Sequence, residues 1–373
     1  VKDLLVTVET PGLHSGAPVR TYGLARALAA GGDGLDLLYV RFGAATPEPA
    51  FEAITGIRLH EVTPSRGLRR AQAYGGARLR GVPDGFARAV SRELAAEALR
   101  LAPEPDRGRV IADGPEAAAA LDTLAGRRPV VYSGRNIESG FRHELDERRL
   151  GGRRSLRRFE RRLLMRASES WMVSEADVAA ARLLCPGARV RYVPNVVDVA
   201  AIPPAGPAID ACRAIFVASF KYEPNRTALR FLVEDVLPLV WRKLPNARLT
   251  VVGKGSGTTF DDPRIEALGY VEDLGSVYAE ASCAVVPLLH GGGTPLKFVE
   301  ALAHGLPVVA TPRAARGLAV RDGEHCLVAE GAEEFAAALV RALRGEVVQL
   351  GRRGRALAER LYSIDALTEL VRP

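Results

Sequence analysis

LLHGGGTPLKFVEALAHGLPVVAT, residues 288–311, reads as a strand end, a glycine turn, a short helix, a tight stop and a buried strand. Thr294 is a suitable N-cap, and Pro295 suits the first helical position, where a missing N–H costs nothing. Gly305 stands where a helix ends in a left-handed residue, and Pro307 forbids its continuation. Gly291, Gly292 and Gly293 let another group approach the backbone closely just before the helix. The N–H groups of Leu296 and Lys297, the helix dipole and the Lys297 ammonium then all favour an anion. Residues 292–297 are therefore expected to seat a phosphate facing a cleft. The dipole contributes only about 0.3–2 kcal/mol, so the rest of the ligand has to supply much of the affinity.

Outward from that stretch, short apolar runs alternate with amphipathic ones along all 373 residues. Such alternation predicts α/β units with parallel sheets, and the length suits two domains. In the first half the strand candidates are 4–9, 35–40, 109–113, 129–133, 170–174 and 189–195, with helices near 19–30, 87–101, 115–125 and 153–168. The second half restarts at 214–219 (AIFVAS). A helix near 226–242 follows, then strands at 248–253, 265–271, 283–288, 307–311 and 325–330. Helices near 332–344 and 349–371 close the chain. The proline- and alanine-rich segment VVDVAAIPPAGPAID is the best linker. Two doubly wound, Rossmann-like domains facing each other across a cleft are expected, at 1–197 and 198–356. The last helix, about 357–373, is expected to pack back on the first domain.

Composition narrows the partners. Hydrophobic residues make up 47% and charged residues 25%, and no run of 18 apolar residues appears. The opening VKDLLVTVE enters a strand rather than a secretory leader, so a cytoplasmic protein is expected. Cys185, Cys212, Cys283 and Cys326 are scattered, without metal-ligand spacing, and read as buried free thiols. The net charge of +7, carried mostly by arginine, fits phosphorylated small molecules or an anionic membrane surface. No nucleic-acid-binding motif is present. The basic segment 142–166 has Leu156, Phe159, Leu163 and Leu164 on one helical face, which suits packing on a sheet with arginines outside. Its other reading is peripheral contact with an anionic membrane, on the inner face.

Several motifs in the second half carry a family resemblance: FVASFKYEPNRTALRFLVEDVLP, ARLTVVGKG, ALGYVEDLGSVYAEA and GGGTPLKFVEALAHGLPVVAT. Their order and spacing resemble the nucleotide-sugar-binding domain of glycosyltransferase family 4, retaining enzymes of the GT-B fold. The first half resembles that family's acceptor domain more loosely, through SGAPVRTYGLARALAAGG, GRNIES and VPNVVD. The resemblance implies sugar transfer from a nucleotide-diphosphate sugar to an acceptor hydroxyl, without a metal or other cofactor. The acceptor is a small molecule, a lipid or a glycan. Two rivals stay open: a nucleotide-sugar epimerase of the same fold, and a non-catalytic nucleotide-sugar-binding partner protein.

Glu300 lies three residues after Lys297, on nearly the same helix face. A carboxylate there can accept both ribose hydroxyls, and the resemblance implies that role; the competing reading is a surface Lys–Glu pair. Gly292 stands where relatives commonly carry a second Glu. Ser219 and Pro224 stand where many carry the Arg and Lys that grip the diphosphate. Lys221 is the available substitute cation, or else an exposed loop lysine, while Asn225 reads as a helix cap. Glu300, Lys297 and Lys221 are thus the catalytic candidates. Gly292, Gly293, Thr294, Pro295, Leu296 and Lys254 are donor-binding candidates, with Tyr270 and Val271 beside the base. Toward the acceptor, Ser15, Gly16 and Arg20 resemble the family's flexible loop after the first strand. Arg135, Asn136 and Glu138 follow a strand and are expected to project into the cleft. The six histidines show no metal-binding spacing.

Overall fold

The computed structural model describes residues 2–13, 16–41, 43–122, 128–140, 152–256 and 260–372. The chain divides into two compact units, Val1–Asn195 with Leu367–Pro373, and Val196–Ala366. The first is built on a seven-stranded sheet. Its strands are β1 (Asp3–Val6), β2 (Leu35–Val40), β3 (Ile57–Val62), β4 (Val110–Asp113), β5 (Val130–Gly134), β6 (Glu169–Met172) and β7 (Val190–Tyr192). Their order is β3-β2-β1-β4-β5-β6-β7, all parallel. β1, β4 and β5 are buried along their whole length, which is why they read as unbroken apolar runs. β3 escapes a reading based on such runs. Its sequence IRLHEV sits at the sheet edge, half-exposed, and only Val62 is fully buried.

The second unit has a six-stranded parallel sheet. Its strands are β8 (Arg213–Val217), β9 (Arg248–Val252), β10 (Ile265–Gly269), β11 (Cys283–Val286), β12 (Val308–Ala310) and β13 (Leu327–Val328), ordered β10-β9-β8-β11-β12-β13. Winding reverses between β1 and β4 in one sheet and between β8 and β11 in the other. Doubly wound sheets open a crevice beyond the carboxyl ends at such a point.

Helix boundaries differ from the sequence reading where proline or a cap intervenes. The helix near 226–242 begins earlier, at Glu223–Arg230, widens into a π turn at Phe231–Val236 and resumes at Leu237–Trp241. Pro238 lacks the N–H that an α turn needs, and the wider turn accommodates it. The closing helical region is two helices, Val348–Leu361 and Ile364–Val371, with Ser363 Oγ accepting the Ala366 N–H at the break. The helix Arg153–Arg166 buries Leu156, Phe159, Leu163 and Leu164, in agreement with the packed reading; residues 141–151 of the basic segment lie outside the described residues. All four cysteines are buried free thiols.

The helix Leu296–Ala303 is pinned from behind. Phe298, Val299, Ala301, Leu302 and Ala303 are fully buried against β11, β12 and the 348–361 helix. It stops at Gly305 (φ 75°): the Gly305 N–H donates to Leu302 O and the Leu306 N–H to Ala301 O, a Schellman close. Two glycines let the 348–361 helix press on this end. A Cβ on Gly351 would stand 2.1 Å from the Gly305 carbonyl oxygen, and one on Gly354 would stand 2.6 Å from Leu302 Cδ2. Gly351→Ala is expected to destabilise the second unit by about 1–3 kcal/mol in urea unfolding, whereas exposed Arg352→Ala stays within about 0.5 kcal/mol. Equal effects of the two substitutions would refute this account of the contact.

Candidate functional site

In the second unit the carboxyl ends of β8, β9, β10 and β11 bring several loops together. The chain leaving β9 lies against the chain leaving β8: a Cβ on Gly253 (φ 132°) would stand 1.9 Å from Ala218 O, and the Phe220 N–H donates to Lys254 O. The Gly253 N–H donates to Gly269 O at the end of β10. Gly291 (φ 118°) brings the turn after β11 onto the start of the 223–230 helix, where an added Cβ would stand 3.6 Å from Pro224 Cβ. The chain's lysines are Lys2, Lys221, Lys243, Lys254 and Lys297. Three of them fall in these elements, in a protein that otherwise uses arginine.

The 296–303 helix starts one residue later than the sequence predicts. Pro295 (φ −75°, ψ 111°) occupies the N-cap position, and no side chain caps the helix. Pro295 is itself extended rather than helical, so it takes the cap position and leaves Thr294 one residue before it, and Pro295 has no side-chain acceptor to offer. Among the described residues the first-turn N–H groups of Leu296 and Lys297 therefore keep no intrahelical or side-chain partner, which is the arrangement that receives anions.

Lys297 and Glu300 do not form the surface pair that their spacing suggests. Lys297 Nζ donates to Oδ1 of Asn225 at 2.5 Å and lies 5.2 Å from the centre of the Phe216 ring. Among the described residues Glu300 has no hydrogen-bond or ion-pair partner for its carboxylate. Both side chains are half-buried at the rim of an otherwise apolar helix. Burial lowers the Lys297 pKa to about 7 and raises that of Glu300 to about 7. Opposite charges one turn apart, each desolvated and neither compensated by the other, leave an anion-binding and a hydroxyl-accepting group side by side.

Asn225 is a site residue that the sequence did not disclose. It is not a cap: Tyr222 holds that position, and Asn225 is buried two residues inside the helix's first turn. Its Nδ2 donates to Ser219 O at 2.7 Å. Its partner Lys297 is 72 residues away, so no local pattern signals the contact. Of the remaining candidates, Lys221, Lys254, Tyr270 and Gly292 are exposed, whereas Thr294 is buried. Lys221 is exposed, and its carbonyl accepts from Arg226 Nη1 at 3.0 Å. Tyr270 is 65% exposed rather than part of the core, with Lys254 Nζ 5.0 Å from its ring centre. Val271 packs beside Leu274 against the core.

In the first unit Arg20 corrects the loop expectation. Gly16 opens the helix Gly16–Gly31, Arg20 is 3% exposed within it, and Ser15 lies outside the described residues. Arg20 Nε and Nη2 donate to Ser133 Oγ at 3.3 and 3.2 Å, and Nη1 donates to the Val193 and Pro194 carbonyls and to Asn195 Oδ1. Asp113 lies 4.0 Å from Nε and accepts from Thr21 Oγ1 at 2.6 Å. Burial lowers the Arg20 pKa to about 10 despite the pull of Asp113. With its donors committed, Arg20 ties together β4, β5 and the chain after β7.

Arg135 sits 3.9 Å from both Glu9 and Asp113. Burial opposes its charge, but Asp113, Glu116 and Glu9 overcome that and hold its pKa above the ordinary value. Asn136 hydrogen-bonds Glu138, whose carboxyl is pushed up to about 8, first by burial and then by Glu160 and Glu116. Buried Glu160 accepts the Ser139 N–H at 3.2 Å and is itself raised to about 7 by burial. Asp113 and Glu160 carry no local sequence signal, because their partners Thr21, Ser133 and Ser139 stand 20 to 92 residues away. Among the described residues no group of three or more His, Cys, Asp or Glu is arranged to hold a metal ion.

Residues 211–345 match the family described as Glycosyl transferases group 1. Over 139 residues the chain is 32% identical to the phosphatidyl-myo-inositol mannosyltransferase of Mycobacterium leprae, which is 35% of this chain and 37% of that protein. The chain thus spans little more than a third of this curated relative. Likeness to solved structures is nearly complete in extent. Sucrose-phosphate synthase from Thermosynechococcus elongatus superposes with a TM-score of 0.74 at 17% identity, over 99% of this chain and 96% of the other. Anabaena HepE in complex with UDP and glucose gives 0.70 at 15% identity, over 99% and 98%. The chain has the GT-B glycosyltransferase fold. Within it, Lys221, Asn225, Lys254, Tyr270, Lys297 and Glu300 all fall in the matched stretch, and the first-unit residues lie outside it.

Glu300 makes stability depend on pH. A carboxyl whose folded pKa lies above its unfolded value contributes fully below about pH 4.5, and that contribution is lost as pH rises through about 7. Glu300→Gln is therefore expected to unfold at higher denaturant than the parent at pH 8. The gain is about 1–2 kcal/mol after discounting for partial exposure, and it shrinks toward zero by pH 5. A pH-independent difference would show that Glu300 is not desolvated.

Proposed function

We propose that the protein is a retaining, metal-independent glycosyltransferase that moves a hexose-like unit from a nucleotide-diphosphate sugar to an acceptor hydroxyl. The observation that carries it is the uncompensated pair of Lys297, on the first turn of a helix with no side-chain cap, and Glu300, one turn further in. It follows a glycine turn at the carboxyl end of β11, inside the stretch that matches the transferase family. In this assignment the diphosphate rests on the Leu296 and Lys297 N–H groups and the Lys297 ammonium, across Gly292, Gly293, Thr294 and Pro295. Glu300 accepts the ribose hydroxyls. Lys221 and Lys254 face the outer phosphate charge, and the Gly269–Val271 backbone, flanked by Tyr270, meets the base. UDP and glucose bound to the Anabaena neighbour are consistent with a donor of this kind.

The bond from the anomeric carbon to the phosphate oxygen breaks, and a bond from that carbon to the acceptor oxygen forms on the same face. The acceptor's proton passes to the leaving diphosphate, so no protein base is required. Fixed dipoles and an ammonium already in place stabilise the charge that develops on the leaving group, with little reorganisation during the step. The first unit is assigned the acceptor, a small molecule, lipid or glycan, with Arg135, Asn136 and Glu138 as its contacts. We assign the protein to the cytoplasm, with peripheral contact to an anionic membrane through its arginine-rich surface. Among the described residues no helix is long and apolar enough to cross a membrane.

A thermal-shift panel of nucleoside diphosphates tests the donor site. A true ligand at a hundredfold excess over Kd stabilises the protein by about 2.7 kcal/mol, and Glu300→Ala should lose most of that gain. Incubation with nucleotide sugars then tests the chemistry. Slow release of free nucleoside diphosphate supports a transferase. Isomerised sugar would identify an epimerase instead, and binding without turnover a non-catalytic binder.

A further inference from the structure

Asn225 has one orientation available to it. Its side-chain amide touches the Ser219 carbonyl, which only accepts, and Lys297 Nζ, which donates. The carboxamide nitrogen must face Ser219 and the oxygen must face the lysine. Asn225 is 6% exposed, and these two bonds hold its amide on both sides. Lys297 thus receives a directed but neutral acceptor where a carboxylate would ordinarily be found.

Among the described residues no charged group from the surrounding elements replaces that carboxylate. On the 223–230 helix, Glu223 is engaged with His290 at 3.6 Å and Arg226 with the Phe220 and Lys221 carbonyls. On β8, Arg213 pairs with Glu266. On the 348–361 helix, Arg355 pairs with Glu359 at 2.7 Å, and Cys283 on β11 is buried. On the 296–303 helix itself Glu300 makes no ion pair with Lys297, and His304 at its end is stacked on Tyr278 at 4.2 Å. β12 contributes no titratable side chain. Burial alone sets the proton affinity of Lys297 and brings its pKa to about 7.

We propose that Asn225 is the positioning residue for Lys297, and that docking of a nucleoside diphosphate is accompanied by uptake of one proton at Nζ. The proton comes from the buffer, and the anion that arrives restores the amine's ordinary affinity for it. An asparagine rather than an aspartate makes this work. A carboxylate at position 225 would hold the ammonium charged in the empty site and compete with the phosphate for it. This inference rests on the donor site proposed above.

Calorimetry of UDP binding to the whole protein at pH 8, in two buffers of different ionisation enthalpy, counts the protons. At that pH the terminal phosphate, with a pKa near about 6, is already ionised. Glu300, at about 7, is mostly ionised as well. The parent is expected to take up between about half and one proton per UDP, falling toward zero by pH 6, where Lys297 is already charged. Lys297→Arg, permanently charged, should bind UDP without uptake. Asn225→Asp should bind more weakly and take up less than about a fifth of a proton, because its new carboxylate keeps the lysine charged beforehand. A merely structural asparagine would not move the proton count. Binding by the parent without uptake, or uptake that survives in Lys297→Arg, overturns this inference and leaves the donor site standing. No binding of any nucleoside diphosphate overturns both.

Discussion

The second unit is organised around one constraint: the 296–303 helix must bury nearly all of its surface while keeping its first turn open. Packing from behind satisfies the burial. Gly351 and Gly354 let the following helix close on it, and the Schellman stop at Gly305 turns the chain straight into β12. Because the flanks are apolar, the two ionisable side chains at the rim lose water without gaining each other. Lys297 turns to the Asn225 amide, and among the described residues Glu300 is left without a partner. Both are held near their titration points by burial. The same packing that stabilises the helix therefore makes its open end receptive to an anionic, hydroxyl-bearing ligand.

The first unit settles its charges differently. Arg20, Asp113, Ser133 and Thr21 satisfy one another beneath the carboxyl ends of β4 and β5, and this network fixes where those strands end. Arg135 stands over it among three carboxylates. Glu138 is left with a carboxyl that holds its proton near neutral pH. A protonated carboxyl can donate as well as accept, which fits the contact with an acceptor hydroxyl proposed for it. One unit thus answers burial with a closed network and the other with an open pair.

On the proposed donor side Ser219, Pro224 and Gly292 stand uncharged where the family resemblance implies charged residues. The fold compensates through geometry: β8 and β11 are neighbours at the winding reversal, so the loop after one and the glycine turn after the other meet. Lys297 then reaches Asn225 across that junction, and a cation stands near the region that Ser219 and Pro224 leave uncharged.

Sequence alone determined the alternation of parallel strands and helices, the glycine turn, the Gly305 stop and the residues at the mouth of the helix. Each depends on short-range physics: apolar runs for strands buried on both faces, positive φ for glycine, the missing N–H of proline. Edge strand β3 was illegible because its half-exposed side chains form no apolar run. Only tertiary structure decided that Lys297 and Glu300 stay apart, that Asn225 is a bridge rather than a cap, and that Arg20 is an internal tie. Those outcomes depend on which desolvated groups the strand order brings within hydrogen-bonding reach, and that reach spans 72 residues for Asn225 and Lys297 and 113 for Arg20 and Ser133.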